Sequence, residues 1–188
     1  MAAPILSSTA RINKCSIAAM LAIVCLAPVT LLAQSKASED AEPPVVMELG
    51  GAAAYSLTES KASFGPALAF EATPIEDRLE VEAGVAGLFR RHATEWDTDF
   101  LFKKPWTLTK KVEFMVGAGP EWIHSRESGL PATNAFAIEL EPEFMIWRSA
   151  RHDLGWYIEP SYEYMFGKSS EQSIGLGAGI MIGIPFKK

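Results

Sequence analysis

Carboxylate side chains recur at every second position in several parts of the chain, most regularly between Phe136 and Trp147, in the stretch FAIELEPEFMIW. Glu139, Glu141 and Glu143 alternate there with large apolar residues. In an extended strand, a period of two places alternate side chains on opposite faces. Carboxylates gathered on one face can be hydrated, protonated, paired with basic side chains or used to hold a cation. The stretch is therefore predicted to be a strand with one acidic and one apolar face.

The same alternation continues from Val45 almost to the end of the chain, with short turns between the alternating segments. It predicts eight strands, which are Val45–Thr58, Ser63–Thr73, Leu79–Arg91, Thr94–Lys103, Lys111–Ser125, Phe136–Trp147, Leu154–Gly167 and Gln172–Phe186. The turn at residues 104–110 is predicted to contain Pro105 and Trp106. Strands of roughly 10 to 15 residues in an even number fit the tilted spans of a transmembrane barrel.

The acids are sorted by face along these strands. No Asp or Glu falls on the apolar face, and Gly and Ala accompany the acids on the other face. A charge that faces the middle of a bilayer costs a few kcal/mol, whereas small residues fit the narrow interior of an eight-stranded barrel. The pattern therefore predicts that the apolar face contacts lipid and that the acids line the lumen.

The predicted lumen network contains eleven glutamates and one arginine. Its members are Glu48, Glu71, Glu80, Glu82, Arg90, Glu113, Glu121, Glu139, Glu141, Glu143, Glu159 and Glu163. Lys103 is a second basic residue on the same predicted face. We expect the three glutamates of the sixth strand to form the centre of this network.

The beginning of the chain has the features of a signal peptide, predicted at residues 1–33. Arg11 and Lys14 precede the apolar run Cys15–Ala27, and Leu31-Leu32-Ala33 provides a cleavage site. Both cysteines lie in this segment, so no disulfide is expected in the mature chain. Residues 34–44 are small, charged and proline-ended, which is typical of a disordered lead-in, and residues 45–188 form the predicted barrel domain.

We therefore predict an all-β protein, a single eight-stranded antiparallel up-and-down transmembrane β-barrel preceded by a signal peptide. One alternative turns the same two faces around. A soluble periplasmic barrel of the lipocalin-like kind would place the apolar face inward, around an apolar ligand, and the acids in water. The alternation by itself is compatible with both arrangements.

Three stretches carry a resemblance to a known family: LFKKPW at residues 101–106, VGAGPEW at 116–122 and GWYIEP at 155–160. With the strands from Val45 to Phe186, they make the chain resemble the small eight-stranded outer-membrane proteins, the OmpA-like and OmpX-like group, and a set of uncharacterised secreted barrels. The near-terminal Phe186 resembles the aromatic by which such barrels are recognised for insertion, although Lys187 and Lys188 follow it. The resemblance implies the outer membrane of a Gram-negative cell. The implied partners are membrane lipid and, during insertion, the barrel-assembly machinery, with no stable protein partner.

No catalytic, cofactor or metal site is predicted. His124 and Ser125 invite comparison with outer-membrane lipid A deacylases, which carry a His-x-Ser pattern that puts both side chains on one face. Here the two residues are adjacent, so alternation sends them to opposite faces. The three histidines show no metal-binding spacing, and a net charge of −6 argues against a nucleic-acid partner.

The function expected from the sequence is that of an outer-membrane barrel with a structural or unknown role and a narrow acidic lumen without a wide pore. Two alternatives remain open at this point. One is the lipocalin-like periplasmic barrel, and the other is a small cation-preferring channel or transporter.

Overall fold

The computed structural model describes residues 43–167 and 170–185. Each alternating segment forms a strand, and the strands are β1 (Val45–Ser56), β2 (Lys61–Ile75), β3 (Leu79–Arg90), β4 (Ala93–Thr109), β5 (Val112–Glu127), β6 (Thr133–Trp147), β7 (Leu154–Phe166) and β8 (Glu171–Ile184). No helix within the described ranges is long and apolar enough to cross a membrane. The predicted signal peptide, nearly all of the predicted lead-in and Phe186 lie outside the described residues.

Every strand pairs with its neighbours in sequence, and the sheet closes because β1 also pairs with β8. Closure joins Val45 to Ile184 and Ser56 to Ser173 in antiparallel register. A closed sheet leaves no unpaired edge along most of its length, so the backbone is satisfied without contacts outside the barrel. The predicted fold, an eight-stranded antiparallel up-and-down barrel, is confirmed.

The barrel has two distinct ends. The terminus end, where β1 begins and β8 ends, carries the turns at residues 76–78, 110–111 and 148–153. The loop end, where β1 ends and β8 begins, carries those at 57–60, 91–92 and 128–132. Asp77 and His92 adopt positive φ angles of 59° and 67°. These are left-handed conformations that tight hairpin turns require. The turns that the structure describes in full are short, so strands make up most of the described residues.

The predicted turn at residues 104–110 is wrong. β4 continues through Pro105, which pairs with Met115 of β5, and ends at Thr109. Only Lys110 and Lys111 form the turn. Pairing of β4 with β3 ends at Lys103, so the rest of β4 pairs with β5 alone. Proline is tolerated on such an edge because its missing N–H removes few ladder hydrogen bonds. Trp106 faces outward and stacks on Phe114 with ring centroids 5.7 Å apart.

The outer surface of the barrel is apolar. Large hydrophobic side chains are exposed on every strand except β5, among them Leu49, Phe70, Phe89, Phe100, Leu140, Phe144, Ile158 and Ile180. On β5, the outward Phe114 and Trp122 are partly exposed. The lipocalin-like alternative required the same face to point inward, and that orientation is wrong. The glutamates of the opposite face point into the barrel, where most are buried.

The terminus end of the lumen is filled by an apolar plug, defined as Val46, Met115, Met145, Trp147, Tyr157 and Met181. The three methionines are 0–1% exposed. Methionine is flexible and fills irregular space well. His152 covers the plug by stacking on Trp147 at 4.8 Å between ring centroids, with an interplanar angle of 9°. The plug and His152 therefore occupy the terminus end of the lumen.

Candidate functional site in the lumen

Lys103 lies on the inner face of β4 and is surrounded by three carboxylates. Its Nζ is 2.6 Å from Glu143 Oε2 and 2.8 Å from Glu141 Oε1, and it also pairs with Glu82. The lysine side chain is fully buried. We call these four residues the Lys103 cluster. A charge buried this deeply is tolerated only when it is paired and hydrogen-bonded, and the three carboxylates meet that requirement.

Glycine allows the lysine to reach across the neighbouring strand. Lys103 pairs with Gly117 of β5, and Gly117 pairs with Glu141 of β6. A Cβ at Gly117 would lie 2.6 Å from Lys103 Cγ. The absence of a side chain at residue 117 therefore opens the path by which a residue of β4 contacts carboxylates of β6.

Glu48 and Glu71 lie directly against the cluster. One oxygen of each and one of Glu143 all lie within 4.8 Å of one another. Both glutamates are 1% exposed, and no hydrogen-bond donor among the described residues reaches either oxygen of Glu48. Glu80 is close to Glu71 and is also buried. The arrangement concentrates negative charge around a single ammonium group.

A second group of acids lines an internal cavity of about 70 Å³ between the cluster and the loop end. It contains Asp97, Asp99, Glu121, Glu139, Glu159 and Glu163. Glu163 accepts a hydrogen bond of 2.7 Å from Ser173 Oγ. The predicted network omitted Asp97 and Asp99, although the alternation along β4 places both on the inner face. The same period-two signal was sufficient to find them.

Arg90, a member of the predicted lumen network, lies apart from the Lys103 cluster. It ends β3 at the loop end, where Nη1 is 3.0 Å from Glu59 Oε2 and Nη2 is 3.8 Å from Glu127 Oε2. Arg90 follows Glu82 by eight residues, a distance of roughly 26 Å along a strand. The arginine instead lines a wider cavity of about 230 Å³ that opens at the loop end.

Glu113 also lies apart from the cluster, at the terminus end. Its Oε1 is 3.5 Å from His152 Nδ1, and His152 Nε2 is 3.2 Å from the carbonyl oxygen of Lys110. These contacts hold the turn at residues 148–153 over the apolar plug. Glu113 therefore faces a different part of the lumen from the remaining predicted glutamates.

His124 and Ser125 point in opposite directions, as alternation requires. His124 stacks on Trp122, and its Nδ1 is 2.8 Å from Asn134 Oδ1. Ser125 donates a hydrogen bond of 2.5 Å to Glu95 Oε2 and lines the loop-end cavity. The imidazole cannot activate the hydroxyl in this geometry, since a base must lie within hydrogen-bond reach of its nucleophile.

No protein-family model and no curated protein matches the chain. Several solved structures match it. Neisserial surface protein A is 13% identical with a TM-score of 0.60, and the match covers 74% of this chain and 96% of that one. The outer membrane protein OprG from Pseudomonas aeruginosa is 9% identical with a TM-score of 0.59, covering 78% and 99%. The N-terminal β-barrel domain of Pseudomonas aeruginosa OprF is 11% identical with a TM-score of 0.53, covering 76% and 100%. The chain thus has the fold of small eight-stranded outer-membrane barrels, as its sequence resemblance implied.

Proposed function

We propose that this protein is a structural β-barrel of the Gram-negative outer membrane whose lumen gives solutes no continuous path across the membrane. The observation that carries the proposal is an apolar outer surface around a lumen whose terminus end is filled by the apolar plug. The apolar surface supports the location in the membrane, and the apolar plug supports the absence of transport through the barrel. Each part is tested by its own experiment.

The outer surface supports the membrane location. Soluble monomers rarely expose contiguous apolar patches of more than a few hundred Å², yet large hydrophobic side chains are exposed on the outside of seven of the eight strands here. Exposing apolar surface to water costs about 25 cal/mol per Å², and lipid removes that cost. The shared fold with outer-membrane barrels agrees with this placement.

The interior supports a closed lumen. Leu101, Met115 and Met181 are fully buried, and Lys103 is held on three sides by carboxylates. The acid-lined cavities favour the entry of cations, which is the feature that a cation-preferring channel would need. The apolar plug nevertheless separates these cavities from the terminus end, so a continuous path is not supported.

Location is tested by fractionating cells that express the full chain and by comparing heated and unheated samples on a gel. We expect recovery in the outer membrane and a faster-migrating unheated band, because a folded barrel resists detergent. Recovery in the soluble periplasm would refute the membrane placement.

Transport is tested by inserting the purified protein into planar bilayers and recording current in KCl. We expect no discrete conductance steps from the native protein. The double variant Met145→Gly with Met181→Gly serves as the matched control, since it removes two plug side chains and is expected to conduct. Steady cation-selective conductance by the native barrel would replace the structural role with that of a channel.

A further inference from the structure

We infer that the lumen binds one hard divalent cation, Ca²⁺ in preference to Mg²⁺, between Glu48, Glu71 and Glu143. This function goes beyond the structural role proposed above. It depends on the interior of the barrel and not on where the barrel resides, so the two proposals can fail independently.

The three carboxylates already have the spacing of a cation site. One oxygen from each lies within 4.8 Å of the others. Glu143 uses Oε2 to accept a hydrogen bond of 2.6 Å from Lys103, while no donor among the described residues reaches its Oε1. Glu143 therefore belongs to both the Lys103 cluster and the cation site. Its Oε2 accepts from Lys103, and its Oε1 is available for a cation.

Glu48 provides a second observation that points to a ligand. Its side chain is 1% exposed, and neither oxygen has a hydrogen-bond donor within the described part of the chain. The ion pairs of Lys103 go to Glu82, Glu141 and Glu143 instead. A buried carboxylate without a donor is costly, and a bound cation would supply the missing partner.

The donor set selects the kind of ion. All the available ligand atoms are carboxylate oxygens, which hard cations prefer, whereas Zn²⁺ sites usually include nitrogen or sulfur. Mg²⁺ retains several waters in a strict octahedron, while Ca²⁺ accepts bidentate carboxylates in flexible geometry. Glu48 and Glu71 are nearly inaccessible to solvent, so the ion that gives up its waters more readily is favoured.

The cavities lead from the loop end to the Lys103 cluster, which adjoins the site through Glu143. The loop-end cavity and the internal acidic cavity share Ala54, Leu88 and Glu163 as lining residues, so they adjoin. The internal cavity is also lined by Glu82 and Glu141 of the Lys103 cluster. Beyond the cluster lies the apolar plug. A cation would therefore enter and leave through the loop end, because the apolar plug occupies the other end of the lumen.

The test measures Ca²⁺ and Mg²⁺ binding by titration calorimetry on the full barrel purified in detergent, after EDTA treatment and dialysis. We expect one Ca²⁺ site in the native protein and a Ca²⁺ affinity at least tenfold lower in Glu48→Gln. Glu163→Gln is the matched control, because it neutralises a lumen acid outside the site, and its Ca²⁺ affinity should stay within twofold of the native value.

Thermal unfolding gives a second readout. Ca²⁺ should raise the Tm of the native barrel and leave that of Glu48→Gln unchanged, while in EDTA Glu48→Gln should melt above the native protein. Glu71→Gln should repeat the loss of Ca²⁺ binding, so the test stands even if one variant fails to fold. Absence of Ca²⁺ binding, native-like binding by both site variants, an equal loss in Glu163→Gln, or binding of Mg²⁺ alone would overturn the assignment.

Discussion

Lys103 is a fully buried charge that depends on three neighbouring carboxylates for its ion pairs. Ten carboxylates are buried in the described part of the chain, and Lys103 is the buried lysine that faces them. Its ammonium group balances part of that charge through contacts with β3 and β6. Removing one partner of a buried ion pair leaves the other charges uncompensated, which usually costs more than the pair itself contributes.

Lys103→Met keeps most of the side-chain volume and removes the charge. We expect it to lower the free energy of unfolding by about 3–5 kcal/mol, measured by urea unfolding of the barrel in lipid vesicles. Lys104→Met is the matched control, because Lys104 is exposed on the opposite face beside Trp106. An exposed substitution should change stability by only about 0.5 kcal/mol. Equal effects of the two substitutions would show that the cluster adds no stability.

Glu59 allows a pH prediction at the loop end. Hydrogen bonds from Lys61 and then from Arg90 hold the pKa of Glu59 below its ordinary value of 4.5. Because the folded-state pKa is depressed, the stabilisation is complete above the unfolded value and is lost as the pH falls through the folded value. Such exposed pairs contribute about 0.2–1 kcal/mol.

The measurement is the Tm of native protein and Glu59→Gln between pH 6 and pH 3. We expect the native protein to be slightly more stable at pH 6 and the difference to vanish towards pH 3. A difference that persists unchanged at pH 3 would exclude the ionised Glu59 as its source.

At the scale of elements, β8 shows how strand composition limits the lumen. Its inner face carries Gly175, Gly177 and Gly179, which pair with the larger Ser161, Glu159 and Tyr157 of β7. A Cβ at Gly177 would meet the carboxylate of Glu159, and one at Gly179 would meet backbone atoms of β1 and the ring of Tyr157. The missing side chains of these glycines therefore leave room in the lumen for the side chains of Glu159 and Tyr157.

Gly179→Ala tests that interpretation. The new Cβ would lie 2.6 Å from Gly50 Cα, and backbone cannot move aside as a flexible side chain can. We expect a loss of about 1–3 kcal/mol in the free energy of unfolding, as for other overpacked interiors. Gly51→Ala is the control, since Gly51 is exposed and its nearest atom would be the Gly65 carbonyl oxygen at 3.3 Å. A loss for Gly51→Ala as large as for Gly179→Ala would contradict the packing argument.

For the whole molecule, the decisive property is the direction of its apolar face. Leu140 lies at the middle of β6, and Ile146 lies near its terminus end on the same face; both are 47% exposed. In lipid, the two positions differ in depth. In water they would be equivalent, so paired substitutions at these positions separate a membrane barrel from a soluble one.

Leu140→Arg should lower the free energy of unfolding in lipid vesicles by about 2–4 kcal/mol, and Ile146→Arg by only about 0–1 kcal/mol. The difference arises because arginine near the bilayer surface reaches water, whereas arginine at the midplane does not. Urea unfolding of both variants beside the native barrel gives the comparison. Equal, small effects at the two positions would contradict the membrane placement.

The sequence by itself determined the number of strands and the sorting of glutamates and large apolar residues onto opposite faces. These follow from a local rule, since side chains alternate along any strand. The closed barrel decided which face points outward, because the alternation fits a membrane barrel and a soluble one alike. The inward methionines of the plug obey the same rule, although an apolar residue on the acidic face does not by itself show that it seals a lumen.

Only the tertiary structure decided which charges meet. Lys103 reaches Glu141 and Glu143 because the register of β4, β5 and β6 places Gly117 between them. Arg90, on the same inner face, lies at the loop end and pairs with Glu59 instead. Register and barrel closure join residues far apart in the chain, and alternation gives the face of a side chain but not its height in the lumen. That height is what separates Arg90 at the loop end from the Lys103 cluster.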